Sequence, residues 1–161
     1  MISIHCRTVA LVVLALASPA VSADGDAVLG VWVTAPEKDG YAKIELTKED
    51  DRYHGEIVWL SEPRYPADDR RGMGGQVKVD RENPDPALHD RPILGLRILK
   101  NFEYVGQAQW KRGTIYDPSN GKTYKCQLKL LDEGTLKVRG YIGVSLLGRT
   151  TTWTRADRPS G

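Results

Sequence analysis

Apolar and polar residues alternate with period two through most of the chain. Ala42, Ile44 and Leu46 share one face, with Lys43, Glu45 and Thr47 on the other. Tyr53, Gly55, Ile57 and Trp59 form a second inward row, Tyr104, Gly106, Ala108 and Trp110 a third, and Tyr124 to Leu130 a fourth. Leu136, Val138 and Gly140 alternate against Lys137, Arg139 and Tyr141, and a last strand runs from about Arg149 to Arg155. Successive side chains of a strand point to opposite faces, so each segment reads as a half-buried strand. Turn formers separate them at Glu37–Gly40, Glu49–Asp51, Asp117–Gly121 and Asp132–Gly134. Many short strands at regular spacing predict an all-β antiparallel sandwich or barrel, and closure removes the exposed edges an open sheet must protect. The expected fold is a single antiparallel β-barrel of about eight strands. Pro92–Phe102 is the one stretch that allows a short helix.

Two segments need separate treatment. Gly121-Lys122-Thr123 has the ending of a nucleotide-binding P-loop, but that motif needs a glycine where Tyr116 stands and a helix afterwards. Here a strand follows, and Asp117-Pro118-Ser119-Asn120-Gly121 is rich in residues that favour turns, so the segment reads as a hairpin turn. Ser61–Pro92 breaks the strand rhythm: it carries five of the nine prolines and a Gly72-Met73-Gly74-Gly75 cluster. Long interruptions of this kind are usually lids, binding loops or disordered, which makes this one the first place to look for function.

The first 23 residues change the picture of where the chain works. A weakly basic start ends at Arg7, an apolar run spans Val9–Ala17, and Val21-Ser22-Ala23 offers small residues for cleavage. This is the three-part pattern of a secretory signal peptide. The expected organisation is therefore a leader over 1–23 and one barrel domain over 24–161, exported to a bacterial periplasm. Only Cys126 follows the cleavage point, so the core must hold without an intrachain disulfide, and Cys126 reads as a buried small hydrophobe. Cleavage removes Arg7, one of 23 basic residues against 21 acidic ones, and leaves a nearly neutral chain. The charges are interspersed, so no nucleic-acid partner is expected. No later segment is apolar enough to span a membrane.

The ends of the domain carry a resemblance. Gly30-Val31-Trp32 resembles the Gly-x-Trp on the first strand of lipocalins, where an arginine of the last strand packs the tryptophan at the barrel floor. Trp153-Thr154-Arg155 offers that arginine. At larger scale, Asp80-x-x-Asn83-Pro84-Asp85, Ile115-Tyr116-Asp117-Pro118, Arg139-Gly140-Tyr141 and Trp153-Thr154-Arg155 are similar to the bacterial exported family of domain of unknown function 2147. That resemblance implies a small envelope protein with a lipocalin-like barrel, with Gly30, Trp32, Trp153 and Arg155 as structural positions. It brings no activity or ligand with it, so function has to come from the site.

Arg139 and Tyr141, two apart on one strand, can converge on one anion, much as fatty-acid-binding barrels hold a carboxylate with an Arg-x-Tyr pair. The alternative is that both face solvent while Leu136 and Val138 face inward. If the barrel is hollow, Tyr104, Trp110, Tyr116 and Tyr124 are the expected cavity wall. Asp80, Asn83, Asp85 and His89 crowd polar side chains into the long loop. Their spacing does not match a calcium loop, a structural loop is the simpler reading, and neither a metal nor a cofactor is expected. Three functional readings stay open: a binding protein for a small amphipathic or anionic ligand, an adaptor that docks a protein partner through the 61–92 loop, and an acid–base enzyme using Asp80 or Asp85 with His89.

Overall fold

The alternating segments fold as strands in a computed structural model that describes residues 24–37, 40–143 and 148–156. The expected leader lies outside the described residues. Eight strands follow in order: β1 (Gly30–Val33), β2 (Ala42–Glu49), β3 (Arg52–Leu60), β4 (Arg97–Tyr104), β5 (Gln109–Asp117), β6 (Lys122–Asp132), β7 (Thr135–Tyr141) and β8 (Gly148–Arg155). Each pairs antiparallel with its neighbour in sequence, and β1 pairs with β8 to close the barrel. Short turns join β2 to β3, β4 to β5 and β6 to β7 at the end where β1 begins, the floor. The β3–β4 excursion and the β5–β6 turn lie at the opposite end.

The floor is closed by side chains from both ends of the domain. A 3-10 turn, Gly25–Val28, leads into β1. The Trp32 indole donates to Val28 O at 2.8 Å, and the Trp110 indole donates to Gly25 O at 3.1 Å. Gly25 cannot be larger, because a Cβ there would lie 2.6 Å from the Tyr53 hydroxyl. Arg155, opposite Trp32 in the β1–β8 register, stacks its guanidinium 4.2 Å from the Trp32 ring. It donates to Leu29 O at 2.8 Å, Ala27 O at 2.7 Å and Glu133 O at 2.7 Å. Trp153 is buried on β8 opposite Leu136.

The barrel interior is filled. Trp32, Trp110, Phe102, Ile44, Leu46, Leu99 and Leu136 are fully buried. A Cβ on Gly113 would overlap the Phe102 ring, and one on Gly55 would lie 2.8 Å from Leu99. Large side chains thus occupy the space that two inward glycines vacate, as in small barrels whose bore is just wide enough for side chains. Cys126 belongs to this core, and its burial pushes the thiol pKa up to about 12, the state of an inert packing residue.

Three expectations are corrected. Trp59 does not face inward: the β2–β3 register slips between Lys43 and Ile44, a bulge that leaves Val58 and Trp59 both outside, 38% and 40% exposed. There Trp59 lies 5.4 Å from Tyr41, under the Lys43 ammonium. Residues 104–110 are not one strand but the β4–β5 hairpin turn, in which Gly106, Gln107 and Ala108 all adopt positive φ. Finally, Pro92–Phe102 forms no helix. Ile93, Leu96 and Ile98 pack on the core as the chain enters β4.

Arg155→Ala leaves the carbonyls of Ala27, Leu29 and Glu133 without their donor and uncovers Trp32. The expected loss is about 3 kcal/mol, roughly 10 °C in Tm. Arg155→Lys, which keeps the charge but not the fork, is expected to fall in between. Thermal melts of both variants check this.

Candidate functional site

The long excursion between β3 and β4 is ordered by its own contacts. Bridges pair Arg64 with Val77 and Val79 with Pro92. Buried Tyr65 donates to Val79 O at 2.9 Å and carries the Arg81 guanidinium 4.0 Å from its ring, while Arg81 also binds Asp69 through both terminal nitrogens. The prolines and glycines therefore shape a folded flap rather than a slack loop.

Asp80 fastens this flap to the barrel. Its side chain has no solvent exposure. One carboxylate oxygen accepts from the Tyr116 hydroxyl on β5 at 2.6 Å, and the other accepts from Arg91 and from the Asn83 amide, both at 2.7 Å. Burial, then the hydrogen bond to Asp80, pushes the Tyr116 pKa up to about 12, so the phenol stays protonated and donating. Asn83 also donates to the Tyr116 oxygen at 3.3 Å and accepts from Asp85 N at 2.9 Å. Asp85 caps the 3-10 turn Pro86–Leu88 by accepting from Ala87 N at 3.0 Å, and His89 Nε2 lies 2.8 Å from Asn83 O. The β5–β6 turn packs in from the other side, where a Cβ on Gly121 would overlap Glu82 O. Gly121 adopts φ 69° and Asp117 accepts from Ser119 N, as a hairpin turn requires. Two stretches read separately in the sequence, Asp80-x-x-Asn83-Pro84-Asp85 and Ile115-Tyr116-Asp117-Pro118, thus meet at one buried carboxylate. No buried side-chain polar atom of this cluster lacks a hydrogen-bond partner, and Asp85 and His89 each make one contact that holds the flap.

Beneath the flap, between the 83–98 segment and the outer faces of β4, β5 and β6, lies a cleft of about 270 Å³. Leu88, Leu96, Ile98 and Pro84 supply its apolar side, and Thr114, Tyr116 and Thr123 its polar wall. Three cations border it: Arg91, Arg97 and Lys100. Arg91 is held by Asp80 and Arg97 by both oxygens of Glu49, whereas Lys100 has no ion-pair partner among the described residues. His54 sits next to this group on β3, buried, with Nδ1 3.5 Å from Asn101 N. Burial, then the charge of Arg97, holds its pKa below the usual histidine value.

The other expected site residues do not gather around one cavity. Tyr104 and Trp110 pack against each other at the floor, rings 5.3 Å apart. Tyr124 faces the upper interior near Gly140, and its hydroxyl accepts from Asn120 at 3.2 Å. Arg139 and Tyr141 lie on the outer face, because Gly140 between them points inward at Ile115 and Tyr124. Arg139 donates to Thr150 across the outer sheet at 2.7 Å, and Tyr141 accepts from Gln127 at 3.3 Å. Alternation alone decides this: Leu136 and Val138 are buried, which turns Arg139 out. A second cleft, about 430 Å³, opens at the floor beside Lys48, Arg52, Tyr53, Glu103 and Tyr104. Most of its charges are paired, Lys48 with Asp26 and Asp51 and Glu103 with both Arg52 and Arg112. Arg91, Arg97 and Lys100 were not among the expected site residues.

The barrel, the Trp32–Arg155 floor and the Asp80–Tyr116 junction are what the comparisons with known proteins can be set against. Residues 30–155 match the family described as uncharacterized protein conserved in bacteria (DUF2147). The chain belongs to that family. Among solved structures it is similar to protein HP1028 from the human pathogen Helicobacter pylori, described as belonging to the lipocalin family. The two share 22% identity, with a TM-score of 0.68 over 80% of this chain and 82% of the other. No curated protein matches. This DUF2147 chain is thus an eight-stranded closed barrel with the lipocalin fold, and its described residues contain no helix long and apolar enough to cross a membrane.

Two outcomes follow for the flap and its surroundings. Asp80→Ala removes the acceptor shared by Tyr116, Asn83 and Arg91 and unfastens the flap, and is expected to cost about 2–3 kcal/mol. Tyr116→Phe removes one donor and is expected to cost about 1–2 kcal/mol. Limited proteolysis should cut Asp80→Ala within 61–92 well before the barrel, and leave Tyr116→Phe close to wild type. The second outcome concerns pH. The folded state resists protonation of His54 while the unfolded chain takes up the proton near its ordinary value of 6.5. The unfolded state therefore binds more protons below that value, and stability falls as the pH drops from about 7 to about 5. His54→Gln should flatten this part of the profile, measured as urea midpoints across that range.

Proposed function

We propose that the protein is an exported, periplasmic binding protein for a small amphipathic anion, held in the cleft under the flap and not within the barrel. One observation carries the reading: the cleft is lined by Lys100, a cation without an acidic partner among the described residues, together with Leu88 and the edges of Leu96 and Ile98. An apolar wall with a few convergent polar groups is the usual make-up of a small-molecule site. The volume of about 270 Å³ lies near the small end of the range for small-molecule sites. A short-chain carboxylate fits both the size and the chemistry: its chain against the leucines, its head on Lys100 with Thr114 and Thr123 as neighbours. The filled interior speaks against a long lipid in the bore. Export rests on the leader pattern of residues 1–23.

A second reading has its own observation. Val77 in the middle of the flap and Leu94 just before β4 are 49% and 53% exposed, which suits an adaptor surface for a protein partner. Titration with octanoate separates the two. Calorimetry should detect binding by the wild type, a loss of at least about tenfold in affinity for Lys100→Glu, and no change for Arg139→Leu on the outer face. Equal octanoate binding by Lys100→Glu, or none by the wild type, would leave the adaptor reading in place.

A further inference from the structure

The lysines of the last three strands are interspersed in the sequence, but alternation collects them. With Cys126, Leu128 and Leu130 inward on β6, Lys125 and Lys129 face out; with Leu136 and Val138 inward on β7, so does Lys137. All three are exposed, and Arg139 lies on the same face. Between Lys122 and Tyr141 the carboxylates are Asp132 and Glu133, both at the floor turn, and Gly148–Arg155 has none. The outward residues of β8 are Thr150, Thr152 and Thr154.

The charge distribution is uneven in a way that stability does not explain. Several cations elsewhere are matched to acids: Lys48 to Asp26, Arg52 and Arg112 to Glu103, Arg81 to Asp69, Arg97 to Glu49. Among the described residues, Lys125, Lys129 and Lys137 take part in no ion pair. Lys129 and Lys137 stand directly opposite each other in the β6–β7 register. Like charges in that position repel and destabilise a sheet. A single acid at either position would relieve the repulsion, so the face keeps a pair that folding alone disfavours.

We propose that the outer face of β6–β8 is a docking surface for an anionic lipid bilayer. Charge complementarity points to an anionic partner, and two further features point to a membrane. The cations that lack partners are lysines, compact point charges suited to a field of phosphate headgroups rather than to one forked acceptor. Exposed apolar side chains bracket the strip, Leu131 at its floor end and Ile142 at its open end, 50% and 66% exposed. Lysines on headgroups with flanking aliphatic side chains in the interfacial layer make reversible, salt-sensitive adsorption. A nucleic acid would be better served by stacking aromatics, and Tyr141, the aromatic of this face, is half-buried against Gln127. The surface is separate from the cleft under the flap, so neither assignment depends on the other.

Lys137→Glu is the informative variant, because it faces Lys129 and turns a repulsion into an attraction. In vesicle co-sedimentation at low salt, the wild type should bind equal mixtures of phosphatidylcholine and phosphatidylglycerol, release in high salt, and ignore pure phosphatidylcholine. Lys137→Glu should lose at least about tenfold in affinity for the mixed vesicles, while melting at the same temperature or higher. Ile142→Ser should weaken vesicle binding with no effect on the melt. The proposal is overturned if the wild type does not distinguish the two vesicle types or if Lys137→Glu binds as the wild type does. It is equally overturned if polyglutamate or duplex DNA is bound more tightly than the mixed vesicles at the same salt, since the face would then belong to an acidic macromolecule.

Discussion

The guanidinium of Arg155 joins the two ends of the domain. It lies over Trp32, on the chain's first strand, and gathers carbonyls from Ala27, Leu29 and Glu133, three points that meet only when β1 lies beside β8. The β1–β8 ladder is short, with Trp32 opposite Arg155 and Val33 opposite Thr154, so closure cannot rest on backbone pairing alone. With the floor closed, Trp32, Trp110 and Phe102 are forced into one bore, and Gly25, Gly55 and Gly113 are the positions that make room for neighbouring side chains. The same closure fixes which face of every strand is inside. Arg139 and the lysines of β6 and β7 are outside for that reason and no other.

A filled bore leaves the surface as the place for a ligand in the proposed reading. The flap between β3 and β4 is held against β5 by Asp80, a carboxylate whose burial is compensated by Tyr116, Arg91 and Asn83 together. Such a group is costly unless every oxygen is satisfied, and here both are. Fastening the flap there places Leu88 and Leu96 over the outer wall of β4 and β5 and creates the cleft beside Lys100. The buried junction is thus the support of the proposed site, and the residues around the cleft are those the proposal assigns to the ligand.

Much of the fold was legible because alternation is a direct consequence of strand geometry, and the strands on Ala42–Leu46, Tyr124–Leu130 and Leu136–Gly140 lie where it placed them. It failed where local backbone geometry broke the period. The bulge that exposes Trp59 and the positive-φ turn at Gly106–Ala108 both occur within runs that keep an alternating composition. The site was less legible for a different reason. Asp80, Asn83 and Tyr116 stood out as residues, but their meeting depends on how the flap folds back, which no local pattern encodes. Lys100 gave no signal at all, since an outward lysine on a strand looks the same whether it faces water or a ligand.

The central claim is that ligand chemistry lies outside the barrel wall. Titration of isotope-labelled protein with octanoate, followed by amide and methyl chemical shifts, tests this residue by residue. The account predicts saturable shifts at Leu88, Leu96, Ile98, Lys100 and Thr114, with Leu128, Leu136 and Val138 unmoved. Shifts concentrated on those three interior residues instead would contradict it and return the site to the bore.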